Sequence, residues 1–127
     1  RCIVPASGFF GQRAQAGSKQ PFAIMPTDSA CFGFAGLWER WTAPDGSVVE
    51  TSSVLTTTPN ELMATLHDRM PVILDPANYQ TWMQAAPSDA SALIRPFPAE
   101  RMRAHPVSKA VGNVRNNSPE LVAPLQP

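Results

Sequence analysis

The chain has 127 residues, 43% of them apolar, with ten basic and ten acidic side chains and a formal charge of zero. That length suits one domain or part of one, and the apolar fraction is normal for a globular core. No run is long or apolar enough to cross a bilayer, and nothing at the start resembles a signal peptide.

The first element is Cys2-Ile3-Val4-Pro5-Ala6, which reads as a strand, turned by Ser7-Gly8 into Phe9-Phe10. Because Arg1 is no initiator methionine and the chain opens inside an apolar strand, it is expected to be a piece of a longer protein. Gly11 to Ser18 is polar and contains glycine, which predicts a loop. Gln20 to Met25 resumes as a strand, placed at a sheet edge by Pro21. Pro26 to Ser29 turns the chain.

Cys31 to Trp41, with Gly33 and Gly36 among aromatics, predicts a central strand with a close backbone approach or a bulge. Ala43-Pro44-Asp45-Gly46 is a strong turn signal, and Val48 to Thr51 returns to form a hairpin. Cys2 and Cys31 sit in apolar, strand-like contexts. They read as buried free thiols of a reducing compartment rather than a disulfide framework.

Val54-Leu55-Thr56-Thr57 predicts another strand. Thr58-Pro59-Asn60-Glu61 then forms a capping box, with Thr at the N-cap, Pro at the first helical position and Glu at the third. Leu62, Met63 and Leu66 give the helix an apolar stripe. Pro71 disfavours helix at Met70, so the helix ends around His67 to Met70, and Val72-Ile73-Leu74 makes a buried strand. His67-Asp68-Arg69 therefore sits at a helix exit. Two roles fit it: the cations balance the negative end of the helix, or His67 does acid–base work while Arg69 grips an anion.

Asp75-Pro76 caps a second helix through Tyr79, Trp82 and Met83. Pro87 to Arg103 is a mixed segment, with one or two helical turns over Ser88 to Leu93. His105 to Ser108 reads as a strand in which His105 is structural. Gly112 to Asn117 is a polar loop, and Ser118-Pro119-Glu120-Leu121 caps a last turn. Fourteen prolines keep the elements short and the loops stiff. Strands before and after two short helices, without alternating βαβ units, predict an α+β or mainly β fold.

Charge is unevenly spread. Residues 1–94 hold five basic and eight acidic side chains, whereas residues 95–127 hold five basic (Arg95, Arg101, Arg103, Lys109, Arg115) and two acidic. The C-terminal quarter thus carries +3, either a phosphate-facing patch or a solvated surface. No phosphate loop, nucleophile elbow or metal-ligand pattern is present, and no cofactor or metal is expected. Trp38, Trp41 and Trp82 either stack bases or, as is commoner at such spacing, fill the core. Asn113, Asn116 and Asn117 either bind a ligand or bond their own turn.

One ordered series of blocks narrows these alternatives. It runs from Arg1-Cys2-Ile3-Val4-Pro5-Ala6-Ser7-Gly8-Phe9-Phe10 through Lys19-Gln20-Pro21-Phe22 and Phe34-Ala35-Gly36-Leu37-Trp38-Glu39. It continues with Leu55-Thr56-Thr57, His67-Asp68-Arg69-Met70-Pro71-Val72-Ile73-Leu74, and His105-Pro106-Val107-Ser108 through Asn116. The series resembles the SOS response-associated peptidase (SRAP) family along the whole chain.

The resemblance implies a single SRAP-like domain over residues 1–127, incomplete at its N-terminus. The implied fold is α+β, a β-rich pseudo-barrel of mainly antiparallel strands with a few short flanking helices. The implied partner is single-stranded DNA with abasic sites, bound in a positive cleft by a monomer of the bacterial cytoplasm or nucleoid, with no membrane involved. The family's nucleophile is an N-terminal cysteine. Its amine and thiol trap the ring-opened aldehyde as a thiazolidine, and the same site is credited with removing the initiator residue.

Carried over by position, His67 matches the catalytic histidine and Arg69 an arginine on DNA phosphate, where a bidentate guanidinium suits the anion. Thr56 matches a polar residue near the lesion, Phe10 lies beside the catalytic glutamate position, and Asn116 joins the DNA-binding set. The family's Phe-Glu-Trp is Phe10-Gly11-Gln12 here, so the carboxylate and its neighbouring aromatic wedge are both replaced. The nucleophilic cysteine has no counterpart either, since Cys2 belongs to the internal strand. Three readings stand: the C-terminal part of a crosslinking protein, a DNA-binding module without the chemistry, or an interaction domain that keeps only the fold.

Overall fold

The computed structural model describes residues 1–126. Its strands are β1 (Cys2–Ala6), β2 (Phe9–Gln15), β3 (Ser18–Pro26), β4 (Phe32–Thr42), β5 (Val48–Val54), β6 (Thr56–Thr57), β7 (Met70–Pro71), β8 (Ile73–Leu74) and β9 (Met102–Pro106), with helices α1 (Tyr79–Gln84) and α2 (Pro87–Ser91). Single 3-10 turns stand at Met63–Thr65, Pro76–Asn78, Ala99–Arg101, Lys109–Gly112 and Pro119–Val122. The strands form a four-stranded sheet (β1-β4-β5, with β8 also on β4), a three-stranded sheet (β2-β3-β9) and the pair β6-β7. Every pairing is antiparallel, so the α+β, β-rich fold read from the sequence is the fold observed.

The period of two along a strand builds the layers. Phe32 and Phe34 of β4, with Ile73 of β8, pack onto Ile24, Met102, Met63 and Met70 in a core between the two sheets. The intervening Ala35 and Leu74 face the other way, onto Trp82 of α1 and Ala90 of α2. Gly33 and Gly36 mark the close approaches expected of a central strand. A side chain at Gly33 would meet the Tyr79 hydroxyl at 2.6 Å, and one at Gly36 would meet Cys2 Sγ at 2.9 Å.

Where the main sheet hands over to β6-β7, three backbone bonds close a triangle. Ala35 N–H donates to Val72 O (2.9 Å), Val72 N–H to Leu55 O (2.8 Å), and Leu55 N–H to Ala35 O (3.0 Å). This junction splits both strands read from the sequence. Residues 54–57 break at Leu55 and residues 72–74 break at Val72, because each of these residues bonds across to a different strand on either side.

Other expectations are corrected. Gly11 to Ser18 is not a loop: β2 continues to Gln15 and pairs with β3, closed by a two-residue turn at Ala16 (φ 43°) and Gly17 (φ 82°). Its polarity is that of an exposed edge strand rather than of a turn. Pro21 does not place β3 at an edge, since β3 is the middle strand of its sheet. Val107 N–H donates to Pro21 O (3.0 Å), and the reciprocal bond of an antiparallel pair is impossible for a residue without an N–H. Gln20 Nε2 donates to Val107 O instead, at 2.9 Å.

The segment after β6 forms one 3-10 turn rather than a capped helix from Thr58. Asn60 does the capping, its Oδ1 accepting from Met63 N–H at 2.9 Å. The second helix keeps its expected start, with the Asp75 side chain accepting from Ala77 N–H. Both cysteines are free, but Cys2 is only half-buried and Cys31, emerging from the bend before β4, is exposed. The tryptophans divide. Trp82 is core (2% exposed) and donates to Cys2 O, whereas Trp38 (52%) and Trp41 (59%) stand on the outer arm of β4-β5.

Candidate nucleic-acid interface

β6 and β7 are only two residues long each, yet they decide the site. Their register sets Thr56 opposite Pro71 and Thr57 opposite Met70, which brings Arg69 alongside Thr56. The guanidinium is tethered there: Nη2 donates to Thr56 O (2.7 Å) and Oγ1 (3.1 Å), and Nε to Oγ1 (3.3 Å). Nη1 keeps its hydrogens free of any partner among the described residues. Arg69 therefore donates no bond to the end of the Met63–Thr65 turn. With Nε and Nη2 held by Thr56, the planar fork presents Nη1 to an anion.

His67 follows the 3-10 turn, and its Nδ1 lies 3.0 Å from the Arg69 backbone nitrogen and 3.0 Å from Asp68 Oδ1. One nitrogen cannot serve both at once. Neutral, it accepts from the Arg69 N–H; protonated, it donates to the Asp68 carboxylate. In either form the other ring nitrogen, Nε2, carries a hydrogen, and it has no partner among the described residues. In both forms Nε2–H can donate a hydrogen bond to an oxygen, and in the protonated form the ring can also give up that proton.

Arg69, Thr56 and His67 line a cavity of about 200 Å³ together with Phe10, Gly11 and Met63. A second cavity of about 490 Å³ adjoins it and shares Phe10, Gly11 and His67, adding Gln12, Ala14, Lys19 and Leu66. No aspartate or glutamate lines either one. Gly11 lines both cavities, and a side chain added there would meet Ile24 Cδ1 (3.2 Å) and Leu66 (3.7 Å), two residues of the core.

Four of the residues read from the sequence, Phe10, Thr56, His67 and Arg69, thus come together. Asn116 does not. Its amide donates to Ala110 O (2.8 Å) in the loop after β9, beside Arg115 and Glu120. Asn113 likewise bonds its own turn, accepting from Arg115 N–H. His105 is structural as read, with Nε2 2.7 Å from Val122 O.

The +3 of the C-terminal quarter does not gather at the groove, and none of its five cations lines either cavity. Arg101 is committed to Asp28 (2.9 Å) and Asp75 (2.7 Å). That leaves a separate 280 Å³ depression by Arg95 and Phe97 with little free charge. The outer arm from Leu37 to Val54 carries three acidic residues against Arg40, so Trp38 and Trp41 stand in a field that repels phosphate. Lys19, which lines the larger cavity, lies between the segment read as a loop (Gly11 to Ser18) and the strand from Gln20, and no local signal in the sequence marks it as a site residue.

This α+β domain of antiparallel sheets carries a groove lined by Arg69 and Lys19 and by no carboxylate. Its sequence places it further: residues 1–114 match the family model "SOS response associated peptidase (SRAP)", and the chain belongs to that family. It is 42% identical over 126 residues to abasic site processing protein YoqW of Bacillus subtilis (strain 168), covering 96% of this chain and 56% of that protein. It is 32% identical over 149 residues to abasic site processing protein HMCES of Gallus gallus, covering 99% of this chain and 44% of that protein. A crystal structure of a Bacteroides thetaiotaomicron protein superposes with a TM-score of 0.89 at 29% identity, covering 98% of this chain and 56% of that one. The chain spans about half the length of the curated relatives it matches.

Proposed function

We propose that this chain is the DNA-recognising part of an abasic-site-processing protein. Single-stranded DNA lies in the groove with a phosphate on Arg69 and the abasic sugar beside His67. The observation that carries this reading is the convergence of three distant segments, around Phe10, Thr56 and Arg69, on one groove in which Nη1 of the guanidinium has no partner among the described residues. An abasic nucleotide has no base to fill the space under Phe10, so the sugar approaches the imidazole closely.

In a protein that also supplies the amine and thiol of an N-terminal cysteine, both add to the aldehyde carbon. A five-membered thiazolidine closes and one water leaves. His67 donates the proton that opens the sugar ring, and a cysteine held at the same place serves removal of the initiator residue.

Gly11 and the absence of any carboxylate lining the groove favour a second reading, a binding module without the crosslinking step. Titration of a labelled single-stranded oligonucleotide containing one abasic site tests the shared core of both. Arg69→Ala is expected to weaken binding alike across sequences and to flatten the log–log salt slope by about 0.7, the share of one phosphate contact on a single strand. An unchanged slope would make Arg69 a purely structural residue. Covalent trapping of abasic DNA by the intact gene product separates the crosslinker from the module.

A further inference from the structure

We infer that the bound strand does not end at His67 but continues into the larger cavity, where Lys19 makes a second phosphate contact. This rests on the single-stranded-DNA reading above. The two cavities share Phe10, Gly11 and His67, so they form one groove pinched at the imidazole, with Arg69 on one side and Lys19 on the other. Polynucleotide phosphates recur along the strand, and a groove with a cation on each side of the reacting nucleotide holds that nucleotide by both of its neighbours.

The β2-β3 ladder puts Lys19 in place, pairing it with Ala14, whose methyl group occupies little of the cavity. From Phe9 to Pro26 the hairpin carries Arg13 and Lys19 and no acidic residue, so its field favours phosphate throughout. Gln12, on the same wall, offers an amide that both donates and accepts. Apart from Phe10, shared at the pinch, the larger cavity has no aromatic lining. Recognition there works on the backbone and is indifferent to sequence, as salt-dependent phosphate contacts are.

The test uses two single-stranded oligonucleotides of about 8 nucleotides, within the usual range of single-strand site sizes. One carries its abasic site at the 5′ end and the other at the 3′ end, so that only one extends past His67 toward Lys19. Lys19→Gln is expected to flatten the salt slope by about 0.7 for one oligonucleotide and leave the other unchanged. Lys19→Glu should weaken that same one several-fold more. Because Lys19 is exposed, both variants should melt like the parent.

If Arg69→Ala loses its contact while both Lys19 variants bind each oligonucleotide as the parent does, the path stops at the imidazole and the inference is wrong. Equal weakening of both oligonucleotides by Lys19→Glu would also overturn it, as a general charge effect. A parent chain that binds neither oligonucleotide defeats the underlying reading, a result distinct from the other two.

Discussion

Arg69 and His67 differ from ordinary surface side chains in how much of each is already fixed. Three bonds to Thr56 hold the arginine, and the bond between His67 Nδ1 and the Arg69 amide orients the imidazole. Both were visible in the chain as residues, since His-Asp-Arg-Met-Pro before an apolar run stands out. The tether was not, because it depends on the register of two-residue strands.

Gly11 is the opposite case, a position conspicuous for what it lacks. Its backbone lies outside the left-handed region, and an added Cβ meets Ile24 Cδ1 at 3.2 Å and Leu66 at 3.7 Å. Gly11→Glu is therefore expected to fold with a stability within about 1 kcal/mol of the parent, strain against Ile24 offsetting the entropy gained by removing a strand glycine. Urea unfolding measures this, and a loss of more than about 3 kcal/mol would show that the groove has no room for a carboxylate. In the intact gene product the same substitution should raise the rate of abasic-site crosslinking.

At the scale of elements, strands with alternating or continuous apolar residues were legible. β1, β4, the turn at Asp45-Gly46 and the Asp75 cap all stand where their residues place them. Elements defined by partners were not. β2 is polar because it lies at an edge, and at Pro21, which has no N–H to give, the Gln20 amide bonds Val107 O in its place.

The 3-10 turn at Met63 was misread for a related reason. Its cap, Asn60, is buried and also donates from Nδ2 to Phe97 O at 2.7 Å, tying the turn to the segment before β9. Asn60→Ala leaves a buried carbonyl and a buried N–H without these partners, and is expected to cost about 2–4 kcal/mol. Asn60→Asp keeps the acceptor toward Met63 but loses the donor toward Phe97, so it should fall between the two in denaturant titration. If the alanine variant is as stable as the parent, the turn is held by packing alone.

Across the whole molecule, two cores on either face of the four-stranded sheet hold three layers together, and one ionic staple joins distant parts of the chain. Arg101 bridges Asp28, in the bend after β3, to Asp75, at the cap of the second helix, while lying over the Phe97 ring. The backbone N–H of Ala77, and after it Arg101, hold the Asp75 carboxyl below its ordinary value. A carboxyl with a depressed folded-state value stabilises the fold above its unfolded value, near 3.9, and loses that contribution as pH falls through the folded one.

Thermal melting should therefore show an acid limb below about pH 4 that is shallower in Asp75→Asn. The variant should be less stable than the parent at pH 7 and approach it in acid. Parallel acid limbs would mean that other carboxylates dominate. Such long-range pairs are illegible in a sequence, because nothing local marks residues 28, 75 and 101 as neighbours.

The triangle of backbone bonds among Ala35, Leu55 and Val72 has a mechanical consequence. Thr56 leaves that knot directly, and Arg69 lies three residues before it, so a pull on the Arg69 side chain passes straight into the central sheet and the helices behind it. The opposite wall is the β2-β3 hairpin, whose tip runs past the end of β9 and has open space around Gly17. The groove thus has one anvil-like side and one free-ended side, and a strand that shifts in it displaces the hairpin first.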